Sequence, residues 1–490
     1  IEGAFYAAPS YKKAIFNYFR EEEQFDLSKL LSPENDEIEN IVLKDNNLVG
    51  IKNSDEFLTN KNPDSPTNRI FTSLFMKDRL SFILQYAIAY VNETNGLQKH
   101  IMRYPQLFAT KAIQNKLDEG IKKGIIWHTQ GSGKTALAYY NLKFLTDYFR
   151  EKKIVPKFYF IVDRIDLLIQ AQKEFSSRGI GIHLIDSKED FSKDIKSTKA
   201  IHNDDGKMEI TIVNIQKFSE DSNIISSKEY DLSIQRIYFL DEVHRSYNPK
   251  GSFLANLDES DRNSIKIGLT GTPLIGKDNN SKTVFGNYIH KYYYNQSIAD
   301  GYTLRLIRED IQSNYKRDLE KVLWDIKVKE GEIDKKSLYS HPSFVHPMLD
   351  YIILDFEKSR NVLNDSTIGC MVICDSSEQA KEMFKQFNEI YSNQLKNDSN
   401  EEVNSKYKVK TAALILHDIG SKDERKDWTE KFKSGEIDIL FVYNMLQTGF
   451  DAPRLKKLYL GRVVKKHNLL QSLTRVNRTY GSHRYGYVVD

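Results

Sequence analysis

Eight consecutive residues, His128-Thr-Gln-Gly131-Ser132-Gly133-Lys134-Thr135, have the types and spacing of a phosphate cradle. Glycines let backbone N–H groups converge on phosphate oxygens, and a helix that opens there adds its positive end. Lys134 can reach the outer phosphates and Thr135 can offer its hydroxyl to Mg²⁺. The run follows the apolar stretch Gly124–Trp127 and precedes Ala136–Tyr140, the strand–loop–helix setting that this chemistry needs. The customary first glycine is His128 here. A second run, Ile237–Leu240, leads into Asp241-Glu242-Val243-His244. An apolar strand ending in two carboxylates suits Asp241 to hold Mg²⁺ and Glu242 to polarise an attacking water.

The elements around these residues predict an α/β fold. Short apolar runs at 158–162, 210–213 and 265–268 join 124–127 and 237–240 as strands buried on both faces, hence a parallel sheet flanked by helices. The pattern resumes at 370–374, 412–416, 439–443, 458–460 and 485–489, a second α/β domain. We read residues 1–95 as the end of an upstream region plus linker, 96–295 as the first domain and 296–490 as the second, with a charged linker or insertion around 314–350. Within the upstream part, aromatics at Tyr11, Ile15, Phe16, Tyr18 and Phe19 suggest a helix ending in Glu21–Glu23. Asn60–Asn68 suggests a linker, Phe71–Val91 a packed helix, and Asn393–Tyr407 a mobile surface loop. The start at Ile1 and stop at Asp490 look like cuts in a longer protein.

Composition narrows the class. Apolar residues at 40% and charged residues at 28% suit an ordinary globular protein, and no apolar run is long enough for a membrane span. A net charge of +3 neither demands nor excludes nucleic acid. The two cysteines, Cys370 and Cys374, share one strand face too far apart for a disulfide and too few for zinc, which suggests buried thiols in a reducing cytoplasm.

In order and context these runs resemble the superfamily 2 helicases and translocases, over about 103–480. Further motifs carry the likeness: Val162–Leu167, Thr211–Lys217, Leu269-Thr270-Gly-Thr272-Pro273, Cys370–Asp375, Asn444–Pro453 and Gln471–Arg478. The resemblance implies two RecA-like domains with ATP and Mg²⁺ held on the first. It assigns Arg475 and Arg478 to the γ-phosphate, and their spacing of three places them on one face if that segment is helical. It gives His244, Thr270, Thr272, Gly449, Asp451 and Gln471 the coupling between ATP and the nucleic-acid track.

A narrower resemblance is to the motor (R, or HsdR) subunit of type I restriction enzymes. Trp127-His128-Thr129, Val162–Leu167, Asp241–Ser246, Phe344–Met348, Thr448–Pro453 and Gln471–Tyr480 carry it, and Arg103-Tyr-Pro-Gln106 is similar to an adenine-reading element with Gln106 as the contact. The family implies a cytoplasmic, ATP-driven duplex-DNA translocase joined by methyltransferase (M) and specificity (S) subunits, with a nuclease and a helical C-terminal domain that we do not find in this chain. Asp147…Glu151-Lys-Lys153 and Asp418…Glu424-Arg-Lys426 match nuclease lettering but lack an apolar strand, so they read as solvated faces. DNA would be held by its backbone, with Arg164, Lys217, Lys250 and Arg454 as candidate contacts. An RNA helicase and a non-hydrolysing DNA scaffold are the competing readings.

Overall fold

The computed structural model describes residues 4–6, 17–23, 35–62, 65–93, 96–215, 233–242, 257, 261–273, 285–311, 313–330, 334–397, 405–446, 450–462, 464 and 466–490. The chain divides into two compact units, Ile1–Tyr293 and Tyr294–Asp490.

The first unit opens with β1 (Ala4–Tyr6) paired to β2 (Asn17–Phe19), and a hairpin of β3 (Ile88–Glu93) and β4 (Gly96–Ile101) follows. Its main sheet uses β5 (Lys123–His128), β6 (Val155–Val162), β7 (Gly181–Ile185), β8 (Glu209–Asn214), β9 (Ile234–Asp241), β10 (Ile265–Thr270) and β11 (Tyr288–Tyr292). They lie in the order β11-β5-β10-β9-β6-β8-β7, every pairing parallel. Parallel neighbours need crossovers, and the helices Lys134–Glu151, Ile165–Ser176 and Lys188–Lys196 lie between successive strands. Strands 8 and 10 are buried along their whole length, as their near-continuous apolar runs require. One buried charge is satisfied in place: Arg236 grips Asp261 at 2.6 and 3.0 Å, and the Tyr238 hydroxyl donates to the same carboxylate at 3.0 Å.

The upstream segment differs from its sequence reading. Tyr18 and Phe19 lie on a strand, whereas Tyr11, Ile15 and Phe16 fall outside the described residues. Phe71–Val91 is not one helix. It spans parts of two helices, Pro66–Phe75 and Lys77–Tyr86, broken at Met76 by extended backbone (ψ 144°), and then β3, where Ala89 and Val91 are buried and Tyr90 is exposed. The linker shrinks to a few residues, because Pro66 sits in the first turn of a helix, where its missing N–H costs nothing.

The second unit holds a parallel sheet of β12 (Arg305–Glu309), β13 (Gly369–Ile373), β14 (Ala412–Ile415), β15 (Ile439–Val442), β16 (Leu455–Leu460) and β17 (Tyr485–Val489), in the order β12-β17-β16-β13-β15-β14. The stretch around 314–350 is not a loose linker. It forms helices Ser313–Glu330 and Lys335–Ser340 and the start of Pro342–Val362, with Ile326, Leu338 and Phe344 making a small apolar cluster while the charges face water. Asn393–Tyr407 is likewise no continuous loop: helix runs to Asn397 and a short 3-10 turn forms at Ser405–Tyr407, with 398–404 outside the described residues. Cys370 and Cys374 are fully buried free thiols, and burial pushes both thiol pKa values up. Among the described residues no helix is long and apolar enough to cross a membrane.

Candidate nucleotide-binding site

Register aligns three strand ends on one edge of the first unit's sheet. Strand β10 lies between β5 and β9, with Thr270 opposite Trp127 and Leu269 opposite Asp241. The loop after β5, the carboxylates after β9 and the Thr270–Pro273 turn therefore share that edge, the usual ligand edge of a parallel sheet.

The loop has the backbone of an anion cradle. Gly131 and Gly133 both take left-handed φ of 79°, and Gly133 caps the Lys134–Glu151 helix. The first N–H groups of that helix have no partner within it, which suits an anion. A Cβ on Gly133 would lie 2.5 Å from Gln106 Nε2, so only glycine fits. Lys134 is half-buried, its Nζ 3.5 Å from the His128 carbonyl. The Thr270–Pro273 turn packs against the loop: Trp127 Nε1 donates to the Gly271 carbonyl at 3.2 Å, and a Cβ on Gly271 would be 3.3 Å from Gln130 N. Thr270 and Thr272 are buried, and the Thr272 N–H donates to Thr270 Oγ1 at 3.1 Å.

Asp241 is buried at the end of β9, and Glu242 follows with φ of 51°, a left-handed conformation uncommon outside glycine. Such strain costs about 1–3 kcal/mol and concentrates at functional sites. Burial first, then the charge of Glu242, raises the Asp241 carboxyl to about 7, while Lys134 pulls the other way and Asp163 adds to the rise. Asp163, buried just past β6 and part of the Val162–Leu167 motif, is a member of the site whose role sequence alone did not indicate. A buried carboxylate beside a lysine and a helix-opening threonine suits Mg²⁺, with Asp241 and Thr135 as the residues that would hold it. Because the proton must leave Asp241 before a cation binds, Mg²⁺ affinity should rise with pH and level off above about 7. Below that value it should fall by up to about tenfold per pH unit, readable as Mg²⁺ half-saturation of nucleotide binding near pH 6 and pH 8.

Gln106, expected as the adenine contact, lies against the phosphate loop. It sits in the first turn of the Tyr104–Asp118 helix, 3% exposed. Its Oε1 accepts from Arg103 N at 2.8 Å and its Nε2 donates to the carbonyls of Gly133 (2.9 Å) and Ser132 (3.3 Å). Arg103 Nη1 also donates to the Gly131 carbonyl at 2.9 Å. Both residues thus brace the loop, and the Gln106 amide is already engaged at both ends.

In the second unit, two expectations about arginines are corrected. The helix Lys466–Leu473 stops before Arg475, so Arg475 and Arg478 do not share a helix face. Arg475 is buried and donates to the carbonyls of Gln471 and Phe450, whereas Arg478 pairs with Asp451 at 3.2 Å beside a bridge to Thr303. Arg454 is not a DNA-facing side chain. It is 3% exposed and donates to the carbonyls of Thr367, Phe432 and Ile437. Arg164 is half-buried at the start of the Ile165–Ser176 helix. Lys217, His244, Lys250 and Gly449 lie outside the described residues.

One cluster arises that no sequence motif announced. His183, Asp194 and His202 bring ligating atoms within 4.8 Å of one another. The two imidazoles stack in parallel with centroids 3.8 Å apart, and the His202 nitrogens each meet a carboxylate, Asp194 and Glu209, at 2.7 Å. The Lys157 ammonium sits 2.9 Å from Asp194. One ion cannot lie in the planes of two stacked rings, so this is a hydrogen-bonded charge cluster closing the edge of the sheet.

Comparison with known proteins agrees with these motifs. Residues 105–337 match the family model of the SWI2/SNF2 ATPase, and residues 351–490 match that of type I restriction enzyme subunit R domain 3. A protein of Methanocaldococcus jannaschii named as a type I restriction enzyme endonuclease subunit is 26% identical over 475 residues, covering 85% of this chain and 46% of its own. A solved HsdR-subunit fragment from Vibrio vulnificus aligns with TM-score 0.52 and 18% identity, over 87% of this chain and 69% of that one. The DNA-bound Type ISP restriction-modification enzyme LlaBIII also aligns with TM-score 0.52, at 15% identity, over 79% of this chain and 28% of that one; at such identities these likenesses speak to fold alone. The chain spans about half the length of the curated relatives it matches. Residues 105–337 are thus similar to a SWI2/SNF2 ATPase and residues 351–490 to the third domain of a type I restriction enzyme R subunit, in that order along the chain.

Proposed function

We propose that this chain is the ATP-dependent duplex-DNA translocase part of an R subunit, working in the cytoplasm within a type I restriction-modification complex with M and S subunits. One observation carries the reading: the Lys134 loop after β5 and Asp241 at the end of β9 flank the β10 strand end on one sheet edge, Lys134 near enough to oppose the rise of the Asp241 pKa, with Glu242 in left-handed backbone beside Asp241. In this reading Lys134 and the loop from Gly131 to Thr135 bind ATP. Bound Mg²⁺ neutralises phosphate charge, and Glu242 orients the attacking water. Arg478 is the better candidate for the γ-phosphate arginine, because its pairing with the exposed Asp451 exchanges readily while Arg475 is committed to main-chain carbonyls. Gln106 supports the loop and need not read adenine itself.

The test is Mg-ATP hydrolysis by this chain alone and with duplex DNA, single-stranded DNA or RNA. Stimulation mainly by duplex DNA is expected, weakening steeply with salt as backbone contacts require. Stimulation by RNA would move the chain to the RNA helicases, and absence of nucleotide binding would make it a scaffold.

A further inference from the structure

The first residue of the phosphate loop is a histidine in a site where glycine is customary, and its ring is tied to the far end of the unit's sequence. His128 is fully buried. Its Nε2 is 2.7 Å from Nδ1 of His290 on the edge strand β11, and Nε2 of His290 is 2.6 Å from the carboxylate of Glu22. Glu22 is held there by its neighbours. Glu21 and Glu23 both bind the fully buried Arg79, at 2.8 and 2.7 Å, and Arg79 lies over the Phe108 ring. Lys111 adds a second cation at 3.4 Å from Glu23.

Donor and acceptor arithmetic fixes the direction of this chain. A carboxylate only accepts, so His290 donates from Nε2, and its Nδ1 is then the acceptor for His128 in the arrangement that spares the partnerless His128 Nδ1 a buried N–H. His128 must then donate from Nε2, which leaves its own Nδ1 bare. Nδ1 of His128 is buried with no hydrogen-bond partner, a place that tolerates a lone pair more cheaply than an N–H. Burial, reinforced by the neighbouring His290 and Lys134, holds the His128 imidazole well below the usual histidine range, so it stays neutral. The residue so fixed is the one whose carbonyl receives the Lys134 ammonium, and the next N–H, of Thr129, donates to the Tyr292 carbonyl at 3.1 Å.

We propose that Glu22 and His290 are positioning residues of the nucleotide site: they lock the tautomer and orientation of His128 and so set the start of the phosphate loop. This deepens, and rests on, the reading of that loop as an ATP site. Second-layer hydrogen bonds of this kind fix imidazoles elsewhere for the same reason. The acidic run Glu21–Glu23 thus belongs to the support of the phosphate loop although it lies more than 100 residues before it.

The test measures fluorescent ADP affinity and unfolding midpoint in the full chain for His290→Leu, His290→Asn, Glu22→Ala and Lys134→Ala. His290→Leu should weaken ADP about tenfold, the loss of one hydrogen bond to a buried group. His290→Asn, whose Oδ1 replaces Nδ1 as acceptor, should recover most of that. Glu22→Ala, whose side chain is 23% exposed, should weaken ADP in the same direction and lower the midpoint less than His290→Leu. Unchanged affinity in Glu22→Ala and His290→Leu, with Lys134→Ala defective, would overturn the proposal and leave the ATP site standing. If His290→Leu fails to fold, Glu22→Ala decides alone. Absence of ADP binding in the unaltered chain would overturn both.

Discussion

Lys134→Ala should lower ATP turnover by about 10³-fold or more while leaving the fold intact, because in the proposed site its ammonium holds the outer phosphates both in bound ATP and through transfer. Among the described residues its ammonium makes only the long 3.5 Å contact to the His128 carbonyl, so truncation forfeits little stability. Glu242→Gln is its complement. The substitution keeps shape and the left-handed backbone at φ 51°, and removes only the charge that in the proposed mechanism polarises water. Turnover should fall by a comparable factor, yet ATP should still bind, whereas Lys134→Ala should lose binding as well. Rapid-quench hydrolysis with equilibrium nucleotide binding separates the two. Retained turnover in Glu242→Gln would remove that residue from the catalytic role, and retained binding in Lys134→Ala would mean that the loop amides alone hold the phosphates.

What the sequence disclosed and what it concealed follow burial and distance. The strands readable as apolar runs, among them β5, β6, β8, β9, β10 and β13, are interior members of the two sheets and buried on both faces. The overlooked β7, β11 and β12 all lie at sheet edges. Their residues are mostly half-exposed, and sequences such as Arg305-Leu-Ile-Arg-Glu309 carry no continuous apolar signal. The phosphate loop was legible because its chemistry is local, eight residues in one turn. Its supports were legible only in part. Arg103 and Gln106 stand out by resemblance, as an adenine-reading element rather than as braces of the loop, whereas His290 and Glu22 reach it from distant positions that leave no spacing to read. The same holds for the run Gln471–Arg478: spacing alone set Arg475 and Arg478 on a common face, but the helix ends at Leu473 and the two side chains diverge to different partners.

Arg454 carries the second large effect, and it concerns stability rather than DNA. The side chain donates from Nε to the Thr367 carbonyl at 2.6 Å and from Nη1 to those of Phe432 and Ile437 at 2.7 and 2.6 Å. Its guanidinium lies over the Phe432 ring, 5.0 Å from the centroid, and 3.9 Å from Asp438. Burial lowers its pKa and Asp438 opposes the shift, as expected for a cation held inside by main-chain oxygens. Gly369 packs so closely that a Cβ there would sit 3.3 Å from Nη1 and 2.6 Å from the Phe432 ring, leaving little room for rearrangement. Arg454→Ala would strand several buried carbonyls at once, and should destabilise the chain by about 3–5 kcal/mol. Arg454→Lys should rescue little, because a single ammonium cannot reproduce the planar fork. Urea unfolding reads the loss directly. DNA affinity per folded molecule and its dependence on salt should both stay unchanged, since a cation that contacts phosphate would lower the salt slope by about one when removed. A variant of unaltered stability with a shallower salt slope would instead return Arg454 to the DNA-binding surface.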